Sequence, residues 1–130
     1  MQGGCFCGAV RYEIDPADHP AGNCHCSMCR RMSAAPFVSW LLVPRTHFRW
    51  TAGEPRALKS SEHGLRRFCA DCGTPLACEL LHTPEVIDIT LCSLDDPAGV
   101  RPQGDYYTDT RLDWVPTPAT TQVSPDQGAS

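Results

Sequence analysis

Cys5-Phe6-Cys7-Gly8-Ala9-Val10-Arg11-Tyr12-Glu13-Ile14 carries two signals within ten residues. The pair Cys5-x-Cys7 followed by Gly8 has the form of a metal knuckle, because glycine accepts a positive φ that turns backbone N–H groups toward thiolate sulfur. Directly after it, Val10, Tyr12 and Ile14 alternate with Ala9, Arg11 and Glu13, the period of a half-buried strand. A strand hung from a thiol-rich turn predicts a small, mostly β protein organised around metal.

The rest of the chain continues this pattern. Twelve prolines and ten glycines interrupt 130 residues, leaving room for short strands and turns but not for long helices. A strand is predicted over Pro36–Val43, stopped by Pro44, with Trp40 in the core. Further strands are predicted over Phe48–Thr51, Leu65–Cys69, Leu76–Leu81 and Val86–Leu91, and one short helix over Ser27–Ser33 with Ser27 as its N-cap. From Pro116 onward Thr, Pro, Ala, Gln, Ser and Gly dominate, so a domain over 1–115 followed by a flexible tail over 116–130 is expected.

Composition excludes several function classes. The apolar fraction of 42% and charged fraction of 20% are those of a globular chain, and no apolar run approaches the ~20 residues of a membrane helix. The net charge is −4, and thiolates bound to divalent ions would make it more negative still, which argues against nucleic acid as a partner. Met1-Gln2-Gly3-Gly4-Cys5 lacks the basic and apolar stretches of a secretory signal, so a reducing, cytoplasmic location is expected. Nine cysteines, an odd count gathered at C-x-C and C-x-x-C spacings, then point to chelation rather than a disulfide framework.

Seven of the cysteines fall into three groups: Cys5 and Cys7; Cys24, Cys26 and Cys29; Cys69 and Cys72. Zinc takes four tetrahedral ligands in closed structural sites and three in sites that keep a position for substrate, so seven thiolates suggest two ions, one closed and one open. Cys7 and Cys72 are each followed by glycine, whereas Cys29 is followed by Arg30. Two like knuckles facing one ion would place Cys5, Cys7, Cys69 and Cys72 together and leave the middle trio open. A zinc-ribbon pairing of the first and middle groups, 16 residues apart, competes with this. Cys78 and Cys92 read as small buried apolar residues within strands. His25 is an alternative fourth ligand, and Arg30 and Arg31 are candidate anion anchors beside the open ion.

The segments Gly4-Cys5-Phe6-Cys7-Gly8-Ala9-Val10-Arg11-Tyr12, Cys24-His25-Cys26-Ser27-Met28-Cys29-Arg30, Arg67-Phe68-Cys69-Ala70-Asp71-Cys72-Gly73-Thr74 and Leu94-Asp95-Asp96-Pro97 resemble the glutathione-dependent formaldehyde-activating enzymes, which share a domain with centromere protein V. The resemblance covers most of the chain. It departs from the family pattern at Cys92, where glycine is frequent, and at Asp105, where histidine is frequent. It implies a fold of coiled antiparallel sheets related to methionine-R-sulfoxide reductases. It also implies a structural zinc on Cys5, Cys7, Cys69 and Cys72 and a catalytic zinc on Cys24, Cys26 and Cys29. The implied activity joins glutathione to formaldehyde and is classed as a carbon–sulfur lyase.

The chemistry of the trio agrees with that expectation. Three thiolates and one divalent ion carry a net negative charge, which acidifies water poorly but suits binding of a substrate thiol as its thiolate. Reversible addition of a small thiol to an aldehyde is the expected reaction, with water or His25 supplying a proton. Two rivals stand beside it: a non-enzymatic two-zinc module that binds a protein, and a redox enzyme using Cys78 or Cys92 as nucleophile.

Overall fold

A computed structural model describes residues 1–116 and the backbone of residues 121–122. Its strands are β1 (Gln2–Gly4), β2 (Arg11–Ile14), β3 (Ala21–Cys24), β4 (Val38–Pro44), β5 (Phe48–Ala52), β6 (Arg56–Lys59), β7 (Gly64–Phe68), β8 (Pro75–Leu80), β9 (Val86–Thr90), β10 (Gly104–Tyr106) and β11 (Thr121–Gln122). Helix α1 spans Ser27–Ser33. Apart from Pro116 and the backbone of β11, the expected tail lies outside the described residues.

The strands form two sheets. A small one has the order β1-β2-β5, and a large one runs β11-β10-β3-β4-β9-β8-β7-β6. Pairing is antiparallel from β3 to β6 but parallel where β10 meets β3 and β11. The fold is thus mostly β, as expected, with a parallel margin beside the antiparallel body. β1, β3, β6 and β10 have no alternating apolar pattern of their own; cross-strand partners recruit them. At Gly22, in β3, an added Cβ would lie 2.1 Å from the Tyr106 ring, so only glycine lets β10 close on this strand.

Register gives the large sheet two chemically different faces. Leu41 lies opposite Ile89 and Val43 opposite Ile87, and these side chains pack with Tyr12 and Ile14 of the small sheet in the main core. Trp40, Leu42, Cys78 and Asp88 point the other way, because successive side chains alternate across a strand. Trp40 and Cys78 there form a second cluster with Cys24, Cys26 and Cys29.

Two local expectations are corrected. The N-cap of α1 is Cys26 rather than Ser27: its backbone is extended, at φ −64° and ψ 153°, and its Sγ accepts the Cys29 N–H at 3.3 Å. A thiol that caps the helix is thereby oriented toward its neighbours. Cys92, expected to be buried in a strand, is exposed in a 3₁₀ turn, Leu91–Ser93. Ser93 Oγ donates to the Thr90 carbonyl at 2.7 Å, and the Leu94 N–H to the Leu91 carbonyl at 3.1 Å, so the chain bends before Cys92 can join β9. Cys78 and Trp40 are buried as expected.

Candidate metal centres

Two glycines build the first centre. Gly8 and Gly73 both hold φ +81°, the left-handed conformation that tightens each cysteine knuckle. The Gly8 N–H donates to the Cys5 carbonyl at 3.1 Å, and the Gly73 N–H to the Cys69 carbonyl at 2.8 Å. A second bond repeats in each knuckle: the Cys5 N–H donates to the Val10 carbonyl, and the Cys69 N–H to the Thr74 carbonyl, both at 3.0 Å. Thr74 Oγ1 also accepts the Phe6 N–H at 3.0 Å, joining the two knuckles directly.

The resulting cluster comprises Cys5, Cys7, Cys69 and Cys72, with all four Sγ atoms within 4.8 Å of one another. Cys5 and Cys7 sulfurs lie 3.6 Å apart, and those of Cys7 and Cys69 3.8 Å apart. Thiolates on one tetrahedral zinc, with Zn–S near 2.3 Å, would stand about 3.8 Å apart, so the donor set fits this ion. Electrostatics point the same way. The Thr74 hydroxyl, aided by the backbone N–H groups of Thr74 and Cys7, lowers the Cys72 thiol to about 5. At Cys7 the Ala9 N–H works to lower the thiol, but the sulfurs of Cys5, Cys72 and Cys69 push it up to about 12. Such crowding opposes joint ionisation unless a cation sits between the sulfurs.

The second centre brings together Cys24 from the end of β3, Cys26 at the helix cap and Cys29 in the first turn of α1. Their three Sγ atoms also lie within 4.8 Å of one another, all buried, and no fourth protein donor joins them among the described residues. Cys26 and Cys29, and then burial, drive the Cys24 thiol strongly upward, a penalty that a cation between the sulfurs would offset. Arg66 of β7 is buried, and its Nη2 donates to Cys29 Sγ at 3.6 Å while its Nε donates to Ser60 Oγ at 3.2 Å.

Two hollows reach this trio. On the Cys29 side, a cleft of about 850 Å³ is lined by residues including Met32, Trp40, Leu58 and Arg66. On the Cys24 side, a cavity of about 250 Å³ is lined by residues including Trp40, Cys78, Asp88, Tyr106 and Tyr107. Tyr107 holds a left-handed backbone, at φ 56° and ψ 48°, a conformation costing on the order of 1 kcal/mol that places its ring at this cavity. His25 lies outside the trio: its ring is buried, Nε2 contacts Asp105 Oδ1 at 2.9 Å, and it lines neither hollow. Arg30 and Arg31 line a separate hollow with Pro36, Leu112 and Trp114. Sequence reasoning passed over Arg66 and Asp88, which no local motif marks.

The family described as "Glutathione-dependent formaldehyde-activating enzyme" matches residues 1–110. A Halomonas elongata protein named "Putative glutathione-dependent formaldehyde-activating enzyme" is 26% identical over 126 residues, spanning 88% of this chain and 79% of that protein. A crystal structure of a Rhodobacter sphaeroides protein matches with a TM-score of 0.63 at 25% identity, covering 78% of this chain and 92% of its own. With its cysteine groups arranged in space as two thiol clusters, the chain belongs to the glutathione-dependent formaldehyde-activating enzyme family.

Proposed function

We propose that the protein is a zinc-dependent carbon–sulfur lyase that adds a glutathione-like thiol reversibly to a small aldehyde such as formaldehyde. The observation that carries this reading is the buried trio of Cys24, Cys26 and Cys29, which lacks a fourth protein donor among the described residues and opens onto two hollows of unequal size. In this reading Cys5, Cys7, Cys69 and Cys72 hold a structural zinc, and the trio holds a catalytic one. A zinc ion there would supply Lewis acidity, holding a substrate thiol in its deprotonated, nucleophilic form at neutral pH.

The chain's own residues supply the rest. With an ion held by the trio, Arg66, whose Nη2 donates to Cys29 Sγ, would offset part of the surplus negative charge of the three thiolates and so ease the approach of a substrate thiolate. The larger cleft, with its apolar walls of Met32, Trp40 and Leu58, has room for a tripeptide thiol, whereas the smaller cavity suits an aldehyde of a few atoms. Nine cysteines without a disulfide suit a reducing compartment such as the cytoplasm.

The test is magnetisation-transfer NMR with ¹³C-formaldehyde and glutathione, which reads exchange between free aldehyde and S-hydroxymethyl adduct. Protein carrying two zinc ions should accelerate the exchange, and the Cys26→Ser variant should not. Acceleration that persists in Cys26→Ser would place the chemistry elsewhere; none from the two-zinc protein would favour a binding module.

A further inference from the structure

Addition of sulfur to an aldehyde carbon leaves negative charge on oxygen, and a group within reach must deliver a proton there. His25, the histidine nearest the trio in sequence, contacts Asp105 and lines neither hollow. Of the groups around the Cys24-side cavity, Cys78 and Tyr106 keep their protons: burial pushes the Cys78 thiol up to about 12, and burial likewise raises the Tyr106 phenol. Glu85 lies at the exposed end of the cavity. Asp88 is different.

Asp88 stands in the middle of β9, opposite Leu42 of β4 and Cys78 of β8, on the sheet face that carries Trp40 toward the trio. Its carboxyl lines the same cavity as Cys24, and no hydrogen-bond or ion-pair partner engages it among the described residues. A half-buried carboxyl in the middle of a sheet, facing a cavity without a partner, is costly to stability, and its presence there calls for an explanation. Burial, then the negative charge at Cys29, raises it to about 7 against the pull of Arg66. Burial is the largest of these influences and does not depend on the charge of the trio, so the proton is both held and transferable near neutral pH.

We propose that Asp88 is the catalytic acid–base of this site, giving its proton to the aldehyde oxygen as the carbon–sulfur bond forms and taking it back as that bond breaks. The assignment rests on the thiol-addition reading above. In the forward direction a sulfur lone pair forms the C–S bond, the C=O π pair moves onto oxygen, and the Asp88 proton goes to that oxygen. The proton lost by the incoming thiol returns to the Asp88 carboxylate, so the net change is addition of R–SH across C=O without oxidation or reduction. Cleavage is the reverse, with the Asp88 carboxylate accepting the hydroxyl proton.

The test uses full-length protein carrying two zinc ions and the same exchange measurement. Asp88→Asn should lower kcat by about 10²–10³-fold, the usual contribution of a positioned acid or base, while zinc content stays at two and KM for the thiol changes little. Asp88→Ala should regain part of its rate when formate is added, because a small acid can enter the vacated space; a merely structural role gives no such rescue. A kcat for Asp88→Asn within twofold of wild type, or absence of formate rescue, overturns the assignment while thiol addition stands. A wild-type protein that forms no adduct removes both. If neither variant folds, a solvent deuterium isotope effect on wild-type kcat supports proton transfer in the rate-limiting step, and its absence counts against Asp88.

Discussion

Replacing one cysteine with serine in each cluster should destabilise the fold to very different degrees. The closed cluster ties Cys7 to Cys69 across 62 residues, whereas the open trio spans only Cys24 to Cys29. Treating the ion proposed for each cluster as a cross-link, chain-closure entropy would be worth about 4 kcal/mol for a loop of that length and about 2 kcal/mol for a five-residue loop. A structural zinc adds binding energy of its own, roughly 10 kcal/mol or more, which rivals the ~5–15 kcal/mol total stability of a domain. Cys72→Ser should therefore lose at least about 4 kcal/mol, a fall in Tm of roughly 15 °C or outright unfolding. Cys26→Ser should remain folded with a Tm loss below about 8 °C. Serine is itself a good N-cap, and its Oγ can replace Cys26 Sγ as acceptor for the Cys29 N–H. Zinc content and circular dichroism melts, measured side by side, decide the matter. If Cys26→Ser unfolds while Cys72→Ser keeps its fold and its metal, the division between a structural and an open centre is wrong.

Arg66→Met should weaken metal binding at the trio by about 10–100-fold, as loss of a charged group bonded to a ligand usually does, and leave the four-cysteine cluster unchanged; competition against a chelator with cobalt-substituted protein measures both sites. Asp88 has its folded-state proton affinity raised to about 7 from an ordinary 3.8, so its contribution to stability is fully present below about pH 4 and is lost as pH rises through about 7. Asp88→Asn should abolish that decline, worth at most about 4 kcal/mol, and a wild-type Tm that falls no further than the variant's between pH 5 and 8 would contradict it. Gly22→Ala should cost at least ~2 kcal/mol or displace β10, since its Cβ would stand 2.1 Å from the Tyr106 ring; an unchanged Tm would show that the strand gives way easily.

The parts of the molecule legible in sequence are those with local grammar. Each cysteine pair is a contiguous motif with a glycine after it, so the knuckles at Cys5–Cys7 and Cys69–Cys72 could be matched without knowing the path between them. The strands over β2, β4, β5, β7, β8 and β9 were visible through alternation or apolar runs bounded by turns. What register decides was not visible. Arg66 and Arg67 are neighbours in sequence, yet β7 turns Arg66 toward Cys29 and Arg67 toward Glu79, where its Nε donates at 2.7 Å. Asp88 sits in Val86-Ile87-Asp88-Ile89-Thr90, which reads as an ordinary one-sided strand with its polar residue in solvent. Only the pairing of β9 between β4 and β8 turns that polar face inward. Arg30 and Arg31 were conspicuous for the opposite reason, being adjacent to Cys29 in sequence while lining a different hollow from those that reach the trio.

The long span closed by the four-cysteine cluster also imposes a timetable on synthesis. Cys24, Cys26 and Cys29 have all been polymerised by residue 29, whereas the other cluster stays half made until Cys72 leaves the ribosome. During that interval Cys5 and Cys7 are two thiols without their facing pair, and β7 and β8, which bring Cys69 and Cys72 into place, do not yet exist. The local trio is therefore the earlier potential claimant on the cell's metal, and the domain-wide clasp the later one. If both clusters take metal, Cys5 and Cys7 would have to stay reduced and unclaimed until Cys72 has been made.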